Sequence, residues 1–477
     1  MQFTSQLLSD SEKERIHEDT LKVLGTVGVR YYSQKALNLL QAAGARVDRE
    51  QKIAYIPPAL VEQALDTAPK KFTLGARNPQ YDYPLPSNVT RYCMDGTGAF
   101  VRDFQTGEHR YGTEKDNELA LRIFQTMDMG VMAWAPVASE DKPAHTRPLH
   151  EWTSLIRFSS KHVQHELHTV EQAPYLAEML IAALGSEDEV RKRHAYSLIY
   201  CPVSPLMHDG PMMDAYFEMG ALDLPIMILP MPVTGTTGPA SLFSNICLAN
   251  AENLSSIIVY QLAHPGRPMI YSSATGTMDM RNGAYVAGSP EMGLMSAALV
   301  EMGRFYGLPS TSAGCTADAR QPGPDAVLEK MITTIAPVLA GSDIIVGFGE
   351  LEGDQLLLLE QIVVDNEIAH FCERLFRGVD SSPQKTLTQD MLDTPPGGNF
   401  LTRKSTRQLA HSDEFLLSSL LDHHTLDQWT QLGKPSMYSN ARKKVEEILA
   451  APLQDALPEA TSQRLEELAA SADDALE

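Results

Sequence analysis

The chain has five cysteines in 477 residues, widely scattered and with no CxxC pair. An odd, dispersed set argues against a disulfide framework and for reduced thiols, the expectation for a cytoplasmic protein. Basic excess is also missing: net charge is −22, which disfavours nucleic acids and anionic membrane surfaces as partners. Residues 1–10 have neither a basic start nor an apolar core, so no signal peptide is expected there. No uninterrupted apolar run reaches spanning length. The run LLLLEQIVV (356–364) is short and carries Glu360, so no membrane span is expected. There is no GxGxxG after a strand, no GxxxxGK[ST] and no HExxH, which leaves dinucleotide, P-loop and zincin sites unsupported.

What is present is a rhythm. Between Val131 and Gly378 a short apolar run followed by a longer amphipathic stretch recurs about seven times. The runs are VMAWAPVA (131–138), HVQHELH (162–168), YSLIYCPV (196–203), LPIMILPM (224–231), PMIYSSAT (268–275), PSTSAGCT (309–316) and DIIVGFGE (343–350). Strands alternating with helical patterns predict βαβ units and a parallel sheet. An eighth strand drawn from residues 90–102, unless that stretch only floors the sheet, makes a closed (β/α)8 TIM barrel. Chemistry is then sought at the carboxyl ends of the strands.

The flanks read differently. Residues 1–89 are expected to be a helical and hairpin extension, 90–378 the barrel and 379–477 a loop followed by helices. Ser9 and Glu12 have capping-box spacing, and Pro57-Pro58 opens another helix. Residues 379–405 are Pro-, Gly-, Ser- and Thr-rich and read as a crossing loop. Helices are expected near 411–421, 424–432 and 436–449, and the acidic end as a helix or a frayed tail.

Four signals bear on chemistry. On a strand, His162, Gln164, Glu166 and His168 share one face and His165 takes the other, which suits a metal, a polar substrate or the polar filling of a barrel interior. The loop Thr234–Pro239 runs into a helix and is either an anion cradle or a tight turn. Asp318 and Arg320 follow a strand end and either pair with each other or face a ligand, while Cys315 reads as a small apolar filler. Phe348 between glycines, with Glu350 and Glu352 beyond it, suits a pocket wall with carboxylates, or packing and solvent. Tyr92, Phe100, Trp134 and Tyr271 are the other strand-end aromatics. The 21 methionines read mostly as core.

Particular strings go further. They include TGTTGPASL (234–242), NAENL (250–254), PGRPMIY (265–271), MDMRNG (278–283), GSPE (288–291), YGLP (306–309), LAG (339–341) and EQIVVDNEI (360–368), with IPPALVEQAL and GARNP upstream. Together they resemble the trimethylamine methyltransferase family of corrinoid-dependent enzymes over about residues 10–380. The resemblance implies a TIM barrel that moves an N-methyl group to the cobalt of a corrinoid (cobalamin) held by a separate cognate protein.

In the archaeal trimethylamine enzymes pyrrolysine lies in the catalytic region, whereas this chain has ordinary residues throughout, with Ala313–Arg320 as the estimated corresponding place. The resemblance is therefore to the non-pyrrolysine branch, whose characterised members demethylate quaternary amines. Glycine betaine is the first candidate, with proline betaine and carnitine beside it.

On this reading the nucleophile belongs to the partner's cobalt, so no catalytic side chain is assigned and no protein-bound metal is expected. His165 or His168 and Arg320 are the candidates for the carboxylate end of a betaine, and Tyr92, Trp134 and Phe348 with Asp95 or Glu350 for its ammonium end. A cytoplasmic homo-oligomer is expected, binding neither nucleic acid nor membrane. The alternatives are a zinc-dependent barrel enzyme using His165, Glu166, His168 and Cys315, and a betaine-binding barrel that has lost turnover.

Overall fold

The computed structural model describes residues 2–476. Its centre is eight parallel strands: β1 (Arg91–Met94), β2 (Gly130–Ala133), β3 (His162–His165), β4 (Tyr196–Tyr200), β5 (Ile226–Ile228), β6 (Met269–Tyr271), β7 (Thr311–Ala313) and β8 (Ile344–Phe348). Each pairs with its sequence neighbour from β1 to β6, and β7 with β8. β8 returns to β1, and a parallel bridge from Tyr271 to Ser310 closes the ring between β6 and β7. All eight expected strands are present.

The barrel helices are α1 (Glu114–Gln125), α2 (Arg147–Phe158), α3 (Ala173–Leu184), α4 (Gly210–Glu218), α5 (Leu242–Ala263), α6 (Pro290–Phe305), α7 (Pro324–Ala340) and α8 (Leu359–Arg377), one after each strand. Every residue of β4 and β8 is buried, as expected for strands with the lumen on one face and helices on the other.

Helix α5 is the one long apolar helix among the described residues. Its 22 residues are long and apolar enough, by length and composition alone, to cross a membrane. Here it is a core helix, 78% buried over its most apolar window. Its polar side chains are tied inside: Asn250 donates to Thr20 and Tyr306, Asn253 to the Ser272 carbonyl, and Glu252 accepts from Ser204 and the Leu206 amide.

The N-terminal helix Asp10–Thr26, opened by the capping box at Ser9, packs against α5. At the other end, Met437–Ala450 packs on α8 and α1, and Glu459–Ala475 on α2 and α3 through Leu465, Leu468, Ala469 and Ala472. The helix expected at 411–421 does not form; Lys404–Ala410 is helical instead. Serine hydroxyls capture the amides there: Ser412 Oγ accepts from Glu414, and Ser418 Oγ from Leu420 and Leu421.

Two insertions cover the carboxyl ends of the strands. The hairpin Thr277–Asp279/Ala284–Val286 lies between β6 and α6. A small sheet joins Phe100–Arg102, His109–Tyr111, Glu350–Leu351 and Leu356–Leu357. Residues 90–102 are therefore split: the first half is β1 and the second half belongs to this cover.

Candidate active site

At the mouth the chain gathers carboxyl groups without a cation to match. Asp95 is the first residue after β1, and Glu350 and Asp354 lie in the turn-and-hairpin that follows β8. Glu350 is fully buried, and neither carboxyl oxygen has a hydrogen-bond partner among the described residues. Burial, reinforced by Asp95 and Asp354, pushes its pKa well above the carboxylate range.

Asp95 receives the Gly96 amide at 3.0 Å, and burial raises its pKa to about 6. Asp354 lies against it and is raised well above the ordinary value by burial and by the charge of Asp95. Because the two acids lie together, ionising either one disfavours ionising the other. Close approach needs glycine here: a Cβ on Gly98 would sit 2.9 Å from Oε2 of Glu350.

Tyr285, on the hairpin after β6, is the aromatic side chain beside these carboxyls. Its ring lies against Gly276 and Gly353, where Cβ atoms would stand 2.1 and 3.4 Å from it. It is 40% exposed, and its phenol is raised by burial and by the charges of Asp354, Asp318 and Asp95. Gln164 Oε1 of β3, Ser312 Oγ of β7, and Ser273 Oγ and Thr275 Oγ1 just past β6 are also buried without partners among the described residues. Buried polar groups are normally satisfied, so these atoms point to water or a ligand.

Beneath the carboxyls, Lys330 of α7 is fully buried and all three of its protons are committed: to the Cys315 carbonyl (2.5 Å), the Gly347 carbonyl (3.1 Å) and Oδ2 of Asp365 (2.9 Å). Burial alone would lower its pKa, but Asp365 more than offsets this and raises it, so the lysine stays charged. On the β2–β3 side, Trp134 Nε1 donates to His165 Nδ1 at 3.2 Å. The other ring nitrogen therefore carries the proton and donates to Glu151 at 2.9 Å. Glu151 also accepts from the Ser139 amide. The Trp134 ring lies 2.9 Å from where a Cβ on Gly96 would be, directly beside Asp95.

A sequence profile described as "Trimethylamine methyltransferase (MTTB)" matches residues 2–475. The chain belongs to the trimethylamine methyltransferase family. It is 32% identical over 455 residues to trimethylamine methyltransferase MttB of Methanosarcina thermophila, covering 93% of this chain and 92% of that one. It is 30% identical over 447 residues to the glycine betaine methyltransferase of Desulfitobacterium hafniense strain Y51, with 93% and 92% covered. Among solved structures the crystal structure of Methanosarcina barkeri monomethylamine methyltransferase matches with a TM-score of 0.50 at 11% identity, covering 94% of this chain and 89% of that one. That likeness supports the fold alone.

As a methyltransferase of this family the chain can be compared with its sequence-based candidates. Asp95, Glu350 and Trp134 meet at the mouth as described. Tyr92 and Phe348 do not: their rings stack at 4.8 Å, Phe124 of α1 meets Phe348 edge-on at 6.3 Å, and Cys372 of α8 neighbours Tyr92. Both pack in the layer between strands and helices, with no exposed surface.

His165 is buried behind Trp134, its ring used by Trp134 and Glu151. The His168 side chain is 50% exposed beside Glu166 at 3.9 Å, and burial is outweighed by Glu166 in raising its pKa. Arg320 is exposed on the rim and makes no ion pair among the described residues, while its supposed partner Asp318 accepts the Ala287 and Gly288 amides. Glu352 faces His109 at 3.1 Å on the surface.

The remaining signals are structural. His162 bridges the Gly75 carbonyl and Ser197, and Thr234–Pro239 is a tight turn closed between Gly235 and Gly238. Cys315 is buried, and burial drives its thiol well up. Among the described residues no three His, Cys, Asp or Glu side chains converge as metal ligands, and His165 and Cys315 of the zinc alternative are engaged elsewhere. Asp354, Tyr285 and Glu151 were not among the sequence candidates. The Asn-Gly turn at 282–283 and the Glu-Gly-Asp turn at 352–354 are signals that would have drawn attention to the hairpins carrying the first two.

Proposed function

We propose that this methyltransferase takes a methyl group from a small quaternary amine and delivers it to the Co(I) of a corrinoid held by a separate protein, with glycine betaine as the first substrate to try. The observation that carries the reading is the uncompensated carboxyl cluster of Asp95, Glu350 and Asp354 beside Tyr285, a site for a cation. The likeness to a glycine betaine methyltransferase supports the same substrate class.

Chemistry supports it as well. Breaking N–CH3 leaves the bonding pair on nitrogen and releases a neutral tertiary amine, so a quaternary amine needs no acid. It does need a nucleophile, and this chain has no ready thiolate: burial raises Cys93, Cys201, Cys247, Cys315 and Cys372. A reduced corrinoid, when docked, supplies it. The rim suits such a visitor, since Val203 (44% exposed), Met231 (42%) and Met280 (74%) present apolar surface around the opening. The carboxyls and Tyr285 would hold the ammonium, leaving the chain to orient one methyl outward and exclude water. His168 and Arg320 remain the proposed rim contacts for a betaine carboxylate. In this scheme pyrrolysine has no part.

Anaerobic incubation with Co(I)-cobalamin and glycine betaine, proline betaine, carnitine or trimethylamine is expected to change the cobalamin absorbance with at least one quaternary amine. A response to trimethylamine alone would overturn the proposal. We further propose self-association through the segment after α8, where Leu392, Leu401, Leu417 and Leu426 are 73–81% exposed. Light scattering should return a multiple of the chain mass; a monomer at micromolar concentration would refute it.

A further inference from the structure

We infer that an ammonium ion entering this site displaces protons: Asp95, Glu350 and Asp354 hold protons when the site is empty and give up about one to solvent when the cation arrives. The inference rests on the cation-site reading above and adds to it how the site balances charge.

Geometry requires the exchange. Glu350 has two buried carboxyl oxygens with no donor, Asp354 has a buried Oδ1 with none, and Asp95 has one backbone amide. The ionisable groups facing them are Cys93 of β1, Tyr285 of the hairpin after β6, Asp318 of the loop after β7, Lys330 of α7 and Asp365 of α8. Only Lys330 is cationic, and its protons are spent on Asp365 and two carbonyls. Three ionised carboxylates cannot stand here unpaired, so the empty site stays near neutral by keeping protons. The raised pKa values of all three acids agree.

A bound ammonium changes the balance. It has no N–H to give, so it is stabilised only by charge and by the ring of Tyr285. Ionised carboxylates attract it more than neutral acids do. Binding therefore lowers their pKa values, and a carboxyl O–H releases its proton to the buffer while its electron pair remains as carboxylate. By linkage, affinity for a cation must rise with pH, up to tenfold per pH unit for each proton released, and level off once the empty site is itself ionised.

Calorimetric titration of the whole protein with tetramethylammonium, without cobalamin, tests this. At pH 7, in buffers of different ionisation enthalpy, the apparent heat should vary linearly with that enthalpy, with a slope near one proton released. Affinity should climb about 30- to 100-fold between pH 6 and pH 8. Glu350→Gln and Asp354→Asn should each reduce the proton count. If either variant fails to fold, the pH profile of the unmodified protein decides alone. Binding that is independent of buffer and pH overturns the inference but leaves the methyl-transfer reading intact, because transfer to cobalamin is scored separately. Absence of tetramethylammonium binding, with transfer from a quaternary amine retained, overturns it too.

Discussion

Asp365→Ala should destabilise the barrel by about 3–5 kcal/mol, read from the urea midpoint at pH 7. The carboxylate is wholly buried and accepts from Lys330, from the Gly349 amide at 2.8 Å and from Gln361 at 2.7 Å. Removing it leaves a charged lysine in a low-dielectric layer with no counter-charge, and an amide with no acceptor. Lys330→Met with Asp365→Ala should recover part of the loss, since the stranded charge is gone. Full recovery is not expected, because the Cys315 and Gly347 carbonyls lose their donor in the double variant. A double-mutant cycle measures the coupling; additive losses would mean that the pair contributes nothing beyond its separate contacts.

The same ion pair explains why this end of the barrel can hold a strained approach to the site. Gly347 (φ 150°) and Gly349 (φ 101°) flank Phe348 in the positive-φ region, and a Cβ on Gly347 would stand 1.9 Å from the Gly314 carbonyl oxygen. Lys330 and Asp365 clamp both glycines through backbone hydrogen bonds. The chain that leaves the clamp is the one carrying Glu350 and Asp354. Loss of the clamp should therefore lower methyl transfer along with stability.

The barrel was legible because most of its strands are short buried runs, apolar on both faces except in β3 (HVQH) and β7 (TSA), set between longer and mostly amphipathic helices, a contrast that survives in one-dimensional pattern. That same burial hid which strand-end side chains reach the mouth. Tyr92 and Cys93 are equally buried, but Tyr92 meets Phe348 and α8 whereas Cys93 accepts from Gln164 across the lumen. Nothing in the local pattern separates them, since a shift of one residue exchanges the faces. Trp134, Asp95 and Glu350 were found because each lies just past a strand end. Tyr285 and Asp354 escaped because they sit on short inserted hairpins, whose position over the mouth is set by tertiary packing.

Asp95→Asn should lower methyl-transfer kcat/KM about 100-fold, or roughly 2.7 kcal/mol, if the cluster holds the ammonium as proposed. It should also make the protein more stable above pH 6. The pKa of Asp95 is raised in the folded state, to about 6 from an ordinary 3.8, so the folded form holds the proton more tightly than the unfolded one. Stability of the unmodified protein then falls as pH climbs through that window, by at most about 3 kcal/mol. Asparagine keeps the shape and cannot ionise, so thermal melts of the variant should lose that slope, matching the parent near pH 4 and exceeding it at pH 8. A purely structural aspartate would behave otherwise, losing stability when its hydrogen bond to Gly96 is weakened. Opposite signs for activity and stability are what a site built to receive a cation requires: ionising its carboxyls is unfavourable until the ligand supplies their counter-charge.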